Sequence, residues 1–175
     1  MKSHVRVAVI GGGVVGCSVL YHLARAGWND AVLLERDELT SGSTWHAAGG
    51  MHTINGDPNV AKLQAYTINL YKEIERVSGQ SCGVHITGGL MLAGTPARLD
   101  FLKMMRARGR YLGLDMEMVS MDEAARRFPL MEKKYFIGAL YNTLEGHVDP
   151  SGVTHAYAKA ARQAGAEVER FTRVT

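Results

Sequence analysis

Three glycines at a fixed spacing are the strongest chemical signal in the sequence. Gly11, Gly13 and Gly16 follow an apolar, β-branched run at residues 5–10 and open a segment with helical potential. In such a pattern the first glycine permits a tight turn, the second lets a pyrophosphate approach the backbone, and the third lets the helix pack closely on the strand. The phosphates would lie at the positive end of the helix. The spacing therefore predicts the phosphate-binding turn of a dinucleotide site.

A carboxylate strengthens this prediction. Glu35 ends a second apolar run at residues 31–34, about 20 residues beyond the glycines, where dinucleotide-binding folds carry an acid for the ribose hydroxyls. An acid at this position argues against NADP, because its 2′-phosphate would be repelled. Arg36 is expected to flank the adenine. The glycine pattern and Glu35 alone leave NAD and FAD as alternatives.

The loop after the second run favours FAD. Residues 39–49 read Leu-Thr-Ser-Gly-Ser-Thr-Trp-His-Ala-Ala-Gly. This segment resembles the flavin-contacting loop of the D-amino acid oxidase-like enzymes and, more closely, that of the dimethylglycine and sarcosine dehydrogenase family. In that family the Ser-Thr-Trp-His-Ala-Ala-Gly segment carries a histidine bonded covalently to the 8α-methyl group of the flavin. The resemblance implies that His46 is this tether, with noncovalent flavin contact as the alternative.

Further site residues are predicted around the same loop. The hydroxyls of Ser43 and Thr44 can bind phosphate or ribityl oxygens, and Gly49 lets the chain pass close to a flat ring. Val174 matches the position whose backbone often contacts adenine in such folds. No metal site is expected, since the sequence has no complete set of ligand pairs. The resemblance places the substrate-binding and proton-handling residues beyond Thr175, so the catalytic residues stay unknown.

The order of elements predicts an α/β chain. Capping residues before three prolines predict helix starts, and a glycine is expected to end each helix. The three proline and glycine pairs are Pro58 with Gly79, Pro96 with Gly113, and Pro150 with Gly165. A capping box at Ser120 predicts a short fourth helix ending before Pro129. Further strands are predicted at residues 84–87, 90–93, 116–119, 135–141 and 166–172, while residues 37–56 are expected to be irregular.

This order predicts a Rossmann-like FAD-binding domain with the start of an inserted α+β substrate domain. The expected divisions are residues 1–56 for the FAD-binding β-α-β unit and flavin loop, 57–148 for the inserted part, and 149–175 for the return to the FAD-binding domain. Because the last predicted strand has nothing after it, we expect a fragment of a longer protein.

Composition excludes several other classes. With 46% hydrophobic and 21% charged residues, the 175-residue chain is neither disordered nor of low complexity. A net charge of +3 is too small to indicate a nucleic-acid or membrane partner. Two cysteines cannot form a disulfide framework of a secreted domain. No signal peptide and no apolar run of membrane-spanning length is seen, so a cytoplasmic location is expected.

The resemblance also implies an activity. It predicts a flavin-dependent amine dehydrogenase or oxidase that acts on an N-methylated amino acid. A hydride passes from the N-methyl carbon to flavin N5, which gives an iminium ion. The expected partners are the small amine substrate and, as acceptor, oxygen or an electron-transfer protein. Two fates of the iminium ion stay open: hydrolysis to formaldehyde and the demethylated amine, or transfer to tetrahydrofolate in a C-terminal domain. Two alternatives stay open: an amino acid oxidase with noncovalent FAD, and a flavin-binding or electron-transfer subunit without turnover.

Overall fold

The N-terminal part of the chain folds as a β-α-β unit. A computed structural model, which describes residues 4–175, contains β1 (Val7–Ile10), α1 (Val14–Arg25) and β2 (Ala31–Leu34) in this order. The two strands pair in parallel, with Val7 opposite Ala31. The predicted strand–helix–strand order is confirmed, because a parallel pair requires the helical crossover that the sequence supplies.

The described residues form two compact units. The first unit comprises residues 4–49, 68–84 and 148–175, and the second comprises residues 50–67 and 85–147. A long helix, α2 (Pro58–Ser78), contributes residues to both units. This contact-based division differs from the predicted one, since residues 68–84 group with the first unit. The boundaries of a substrate domain at 57 and 148 therefore stay a prediction.

The first unit is built on a three-stranded parallel sheet. The strand order is β1-β2-β8, with β8 at Glu167–Glu169. Helix α5 (Pro150–Gln163) packs against α1, and the rings of Tyr21 and Tyr157 lie 5.5 Å apart at this contact. The largest fully buried side chains of this unit are those of Leu20, Leu33, Ile74 and Val153. This apolar core fixes the helices beside the strands that carry the glycine turn.

The second unit contains an antiparallel sheet between two helices. Its strands are β4 (Gly89–Ala93), β5 (Met116–Val119) and β6 (Gly138–Asn142), in the order β4-β6-β5. The helices are α3 (Pro96–Tyr111) and α4 (Met121–Arg127). Alternating side chains divide the core, because successive residues of a strand point to opposite faces. One buried cluster consists of Ala93, Leu102, Met105, Leu114, Met116 and Leu140, and the other of Ala124, Met131 and Ala139.

A short ribbon completes the second unit. It consists of β3 (Gly50–Met51) and β7 (Gly146–His147), which pair antiparallel with Gly50 opposite His147. The backbone of His85 forms an isolated bridge to the other side of His147. Three chain segments thus lie side by side over a few residues.

Most helix ends agree with the sequence. The Thr95 side chain accepts a hydrogen bond from the N–H of Arg98, and Ser120 accepts one from Glu123, as expected of capping residues. The predicted stop glycines Gly79, Gly113 and Gly165 all adopt positive φ angles. The predicted helices are therefore confirmed, since proline and glycine fix the backbone at their two ends.

Three predicted strands are wrong in whole or in part, and two of them are those predicted at residues 84–87 and 135–141. Residues 84–87 contain only the single bridge at His85, because Gly83 and Gly88 adopt positive φ angles of 58° and 76° and turn the chain on either side. The strand predicted at residues 135–141 begins only at Gly138. Residues 133–135 form a 3₁₀ turn instead, which the sequence pattern did not reveal.

Two other segments also differ from expectation. Residues 37–56 are not wholly irregular, because they contain a 3₁₀ turn at Ser43–His46 and the strand β3. The strand predicted at residues 166–172 is limited to β8, and Phe171 just beyond it has a left-handed φ of 56°. Across residues 4–175, no helix combines the length and apolar character that a membrane crossing needs.

Candidate functional site

The predicted site lies where the parallel strands of the first unit end. β1 runs into Gly11, β2 runs into Glu35, and β8 is followed by the segment at residues 170–175. The N–H of Glu35 donates to the carbonyl oxygen of Glu169 at 2.9 Å, and the N–H of Thr172 donates to that of Glu35 at 2.8 Å. Ligands of open α/β sheets bind at the carboxyl ends of strands, so these bonds bring three such ends together at a binding edge.

The glycine turn is tight enough to exclude side chains. Gly11 has a φ of 106°, which strongly favours glycine. A Cβ atom on Gly16 would overlap the carbonyl oxygen of Gly11, and one on Gly13 would lie 3.0 Å from the Thr44 hydroxyl oxygen. Gly13 is also the N-cap of α1, whose first turn holds no acidic residue. The first turn of this helix therefore supplies no negative side chain that would repel an anion at its positive end.

Glu35 is hydrogen-bonded to the glycine turn. Its Oε2 accepts a hydrogen bond from the N–H of Gly12 at 2.6 Å, and its Oε1 accepts one from Asp37 at 2.8 Å. A Cβ on Gly12 would lie 3.0 Å from the Glu35 side chain and 2.6 Å from that of Leu39. The middle glycine of the turn therefore makes room for the carboxylate. Sequence reasoning named Gly11, Gly13 and Gly16 and missed Gly12.

The surroundings of Glu35 favour its ionised form. Desolvation by partial burial would raise the pKa of the carboxyl. The backbone N–H groups of Gly12, Asp37 and Arg36, with the charge of Arg36, outweigh that effect and hold the pKa of Glu35 below its usual value. The group is thus a carboxylate near neutral pH, ready to accept hydrogen bonds from hydroxyl groups.

The histidine-bearing loop joins the same site through Thr44. The buried Thr44 hydroxyl oxygen accepts a hydrogen bond from the N–H of Val14, the first residue of α1, at 3.0 Å. His46 ends the same 3₁₀ turn, and its Nδ1 lies 3.1 Å from the carbonyl oxygen of Gly42. The imidazole is exposed, and its centroid lies 3.9 Å from that of the Trp45 ring. These contacts fix the loop on the helix start and leave the histidine ring accessible.

Two other residues of the loop, Ser43 and Gly49, were also predicted to belong to the site. Ser43 is exposed at the first position of the 3₁₀ turn. Gly49 has a φ of 73°, and a Cβ there would overlap the carbonyl oxygen of Val148, whose N–H donates to the Gly49 carbonyl at 2.9 Å. The close approach of these two backbones is therefore sufficient reason for glycine at position 49. Its expected contact with a flat ring stays a prediction.

A cavity of about 340 Å³ opens beside Glu35. It is lined by Ile10, Gly11, Leu34, Glu35, Arg36, Thr172, Arg173 and Val174. Its volume lies in the usual range of ligand pockets, about 300–1,000 Å³. The structure thus brings Glu35, Arg36 and Val174 to one cavity, whereas Thr172 and Arg173 carried no sequence signal. The roles predicted for these residues stay predictions.

Cys17 lies behind the glycine turn and is chemically inert there. It is fully buried, and burial together with the charge of Glu35 raises the pKa of its thiol to about 12. A thiol with such a pKa is not a nucleophile at neutral pH. Within residues 4–175, no group of three His, Cys, Asp or Glu side chains is placed to hold a metal ion.

Comparison with known proteins identifies the family. The family model described as FAD dependent oxidoreductase matches residues 6–175. This chain belongs to the FAD-dependent oxidoreductase family. It is 40% identical over 165 residues to the mitochondrial dimethylglycine dehydrogenase of Homo sapiens and 38% identical over 169 residues to the mitochondrial sarcosine dehydrogenase of the same organism. The resemblance found in the loop at residues 39–49 is thereby confirmed at the level of the family.

Solved structures confirm the Rossmann-like FAD-binding fold. L-proline dehydrogenase from P. horikoshii superposes with a TM-score of 0.91 at 26% identity. The match covers all of this chain and 46% of that one. The matches to the two human relatives cover 94% and 96% of this chain. They cover only 19% and 18% of the relatives' own lengths. This FAD-dependent oxidoreductase chain therefore spans about a fifth of its curated relatives.

The donor and acceptor set of the site fits FAD. The space above Gly11 is open, since no atom lies within 4 Å of a Cβ built there. The helix start offers a positive end for the pyrophosphate, and Glu35 offers carboxylate oxygens beside the 340 Å³ cavity. Glu35, the residue that follows β2, is an acid, which suits a cofactor whose ribose has free hydroxyls and no 2′-phosphate.

We predict that Gly16→Ala abolishes FAD binding. The added methyl would overlap the Gly11 carbonyl oxygen, and overpacking of this kind costs about 1–3 kcal/mol in the free energy of unfolding. The check is the flavin absorbance of the purified full-length variant beside its urea midpoint. Gly56→Ala is the matched control, because its Cβ would make only an ordinary contact, 3.9 Å from Nη1 of Arg108. Equal flavin content in Gly16→Ala and wild type would contradict the prediction.

We predict that Glu35→Gln alters stability in a pH-dependent manner. A carboxyl with a lowered pKa stabilises the folded state above the ordinary glutamate pKa of about 4.3, and this contribution disappears as the pH falls through the lower folded value. The difference in unfolding free energy between wild type and variant should therefore shrink from pH 7 to pH 3. Urea titrations across this range measure it. Glu117→Gln, at an exposed position on β5, is the control, and a difference independent of pH at Glu35 would refute the assignment.

Proposed function

We propose that the full-length protein oxidises the C–N bond of a small N-methylated amino acid, with FAD as the hydride acceptor. The observation that carries this proposal is the bond from the N–H of Val14 to the Thr44 hydroxyl, at 3.0 Å. It attaches the histidine-bearing loop to the start of the helix that follows the glycine turn. One compact unit therefore holds the parts suited to the phosphates and to the flavin. The names of the dimethylglycine and sarcosine dehydrogenases support the substrate class.

In this proposal the backbone and a few side chains hold the cofactor. The turn from Gly11 to Gly16 takes the pyrophosphate at the start of α1. Glu35 accepts hydrogen bonds from the adenosine ribose, with Arg36 and Val174 near the adenine. Thr44 is already an acceptor for Val14, so its own hydroxyl hydrogen is the group directed to a phosphate or ribityl oxygen. Ser43 serves the same purpose from its exposed position.

His46 is the proposed tether of the flavin. The carbonyl oxygen of Gly42 can only accept a hydrogen bond, so the contact at 3.1 Å requires the proton on Nδ1. The lone pair then lies on Nε2, and this nitrogen is the one that we expect to be joined to the flavin methyl group. The neighbouring Trp45 ring restricts how far the imidazole can turn.

The protein positions groups, and the cofactor supplies the redox chemistry. FAD, when bound, accepts a hydride from the carbon next to the substrate nitrogen, which leaves an iminium ion on the substrate. Hydrolysis of that ion gives formaldehyde and the demethylated amine, while transfer to tetrahydrofolate would need a further domain. Oxygen or an electron-transfer protein is the proposed final acceptor.

The mass of the denatured full-length protein tests the tether. We predict an added mass of one FAD in wild type, its loss in His46→Ala, and its retention in His155→Ala. His155 is a suitable control because it is exposed on α5. FAD released on denaturation of wild type would contradict the tether and favour a noncovalent amino acid oxidase.

The same preparation tests the activity. Under anaerobic conditions dimethylglycine or sarcosine should bleach the flavin absorbance of wild type. Flavin that no amine bleaches would instead favour a flavin-binding subunit without turnover. Folded protein without any flavin would contradict the cofactor assignment.

A further inference from the structure

The ribbon of the second unit carries two stacked histidines. The N–H of His85 donates to the carbonyl oxygen of His147 at 2.9 Å, and the N–H of His147 donates to that of His85 at 3.0 Å. Directly paired residues of antiparallel segments project their side chains to the same face. The two exposed imidazoles accordingly lie 4.9 Å apart between centroids, at 26° between ring planes.

A third histidine belongs to the same face. Gly50 lies opposite His147, and His52 is two residues further along, so His52 projects to the side that His147 occupies. A Cβ built on Gly50 would lie 3.6 Å from Nε2 of His52, which shows that the His52 ring extends over this glycine. We name His52, His85 and His147 the imidazole face.

A buried carboxylate holds His52. Nδ1 of His52 lies 3.3 Å from Oε2 of Glu145, and the two side chains are 69% and 8% exposed. Oε1 of Glu145 accepts a hydrogen bond from Nδ2 of Asn142 at 3.0 Å, and the same amide donates to the Thr53 hydroxyl at 2.6 Å. The carboxylate is therefore held in place by Asn142 in the interior, and the imidazole of His52 that it orients is exposed to solvent.

Close approaches show that this arrangement is built into the fold. A Cβ on Gly89 would overlap Oε2 of Glu145, and a Cβ on Gly146 would overlap the carbonyl oxygen of His85. Glycine is thus required both where Glu145 is buried and where His85 joins the ribbon. The buried contacts of Glu145 account for its own position, but they do not account for three imidazoles exposed on one side.

We propose that the imidazole face binds a small amino acid, with its carboxylate on His85 and His147 and its amine on His52. This proposal rests on the proposed function, since it names the residues that recognise that substrate. The rings of His85 and His147 are stacked on one face, and an imidazole N–H of each can donate a hydrogen bond to the same carboxylate. The bond from Nδ1 of His52 to Glu145 leaves Nε2 as an acceptor for an ammonium N–H, and the negative charge of Glu145 adds attraction.

The two halves of the face predict different selectivities. Acetate offers only a carboxylate, whereas dimethylglycine offers a carboxylate and an amine. His85 and His147 should matter for both compounds, but Glu145, as a positioning residue for His52, should matter only for dimethylglycine. A residue that merely stabilised the fold would affect both compounds equally, so the ratio of the two affinities separates these roles.

The test is calorimetric titration of the full-length holoprotein with acetate and with dimethylglycine under anaerobic conditions. The flavin is reduced with dithionite beforehand, so that it cannot accept a hydride from the amine. We expect His147→Ala and the milder His147→Gln to lower the affinity for both compounds about tenfold, as for loss of a charge-assisted hydrogen bond. Glu145→Gln should lower the affinity for dimethylglycine about tenfold and leave the affinity for acetate unchanged. His155→Ala is the matched control and should change neither affinity.

The outcomes separate this proposal from the proposed function. Wild-type affinities in both His147 variants, or equal losses for both compounds in Glu145→Gln, would overturn the imidazole face even if the flavin is present and reduced by the amine. A protein without flavin would overturn the proposed function, while the titrations would still report whether the face binds these compounds.

Discussion

The hydrogen bond from the Gly12 N–H to the Glu35 carboxylate, at 2.6 Å, connects the turn after the first strand to the end of the second. The rest of the cofactor site depends on this connection. Glycine at position 12 suits it, because a Cβ would make a tight contact of 3.0 Å with the Glu35 side chain. It also stabilises the charge on Glu35, because a hydrogen bond to an ionised group is stronger than one between neutral groups. The acid and the glycines therefore form a single structural unit.

A second contact extends this unit to the flavin loop. Thr44 bonds the N–H of Val14, so the loop lies on the same helix end that the phosphates require. The loop is also held at its other end, because the backbone of Gly49, five residues after Thr44, lies in close contact with the backbone of Val148. Such positioning suits the tether proposed for His46, because a covalent bond to one atom of a cofactor requires a fixed distance and direction.

The sequence alone predicted the parts of the structure that local chemistry controls. Helix starts at Pro96 and Pro150 and stops at Gly113 and Gly165 follow from backbone geometry that proline and glycine impose. The tight turn at residues 11–16 was likewise found from glycine spacing, whereas its role in binding a cofactor stays a prediction. The strand predicted around His85 failed because alternation of side chains does not reveal turns at both of its ends.

Other features depend on contacts between distant positions, and no local pattern encodes them. Gly12 was missed because its role exists only once Glu35 lies against it. The imidazole face was missed because His85 and His147 meet through a register that is set by the fold. Thr172 reaches the cavity beside Glu35 only through its backbone bond to that residue, which any residue type except proline could form.

A crystal structure of the full-length protein with its flavin tests the central claim most directly. We predict that the ribose hydroxyls of the dinucleotide lie within hydrogen-bond distance of the Glu35 carboxylate and that the pyrophosphate lies against the backbone of the turn at residues 11–16. A dinucleotide bound elsewhere, with Glu35 out of contact with the ribose and the start of α1 facing no phosphate, would contradict it.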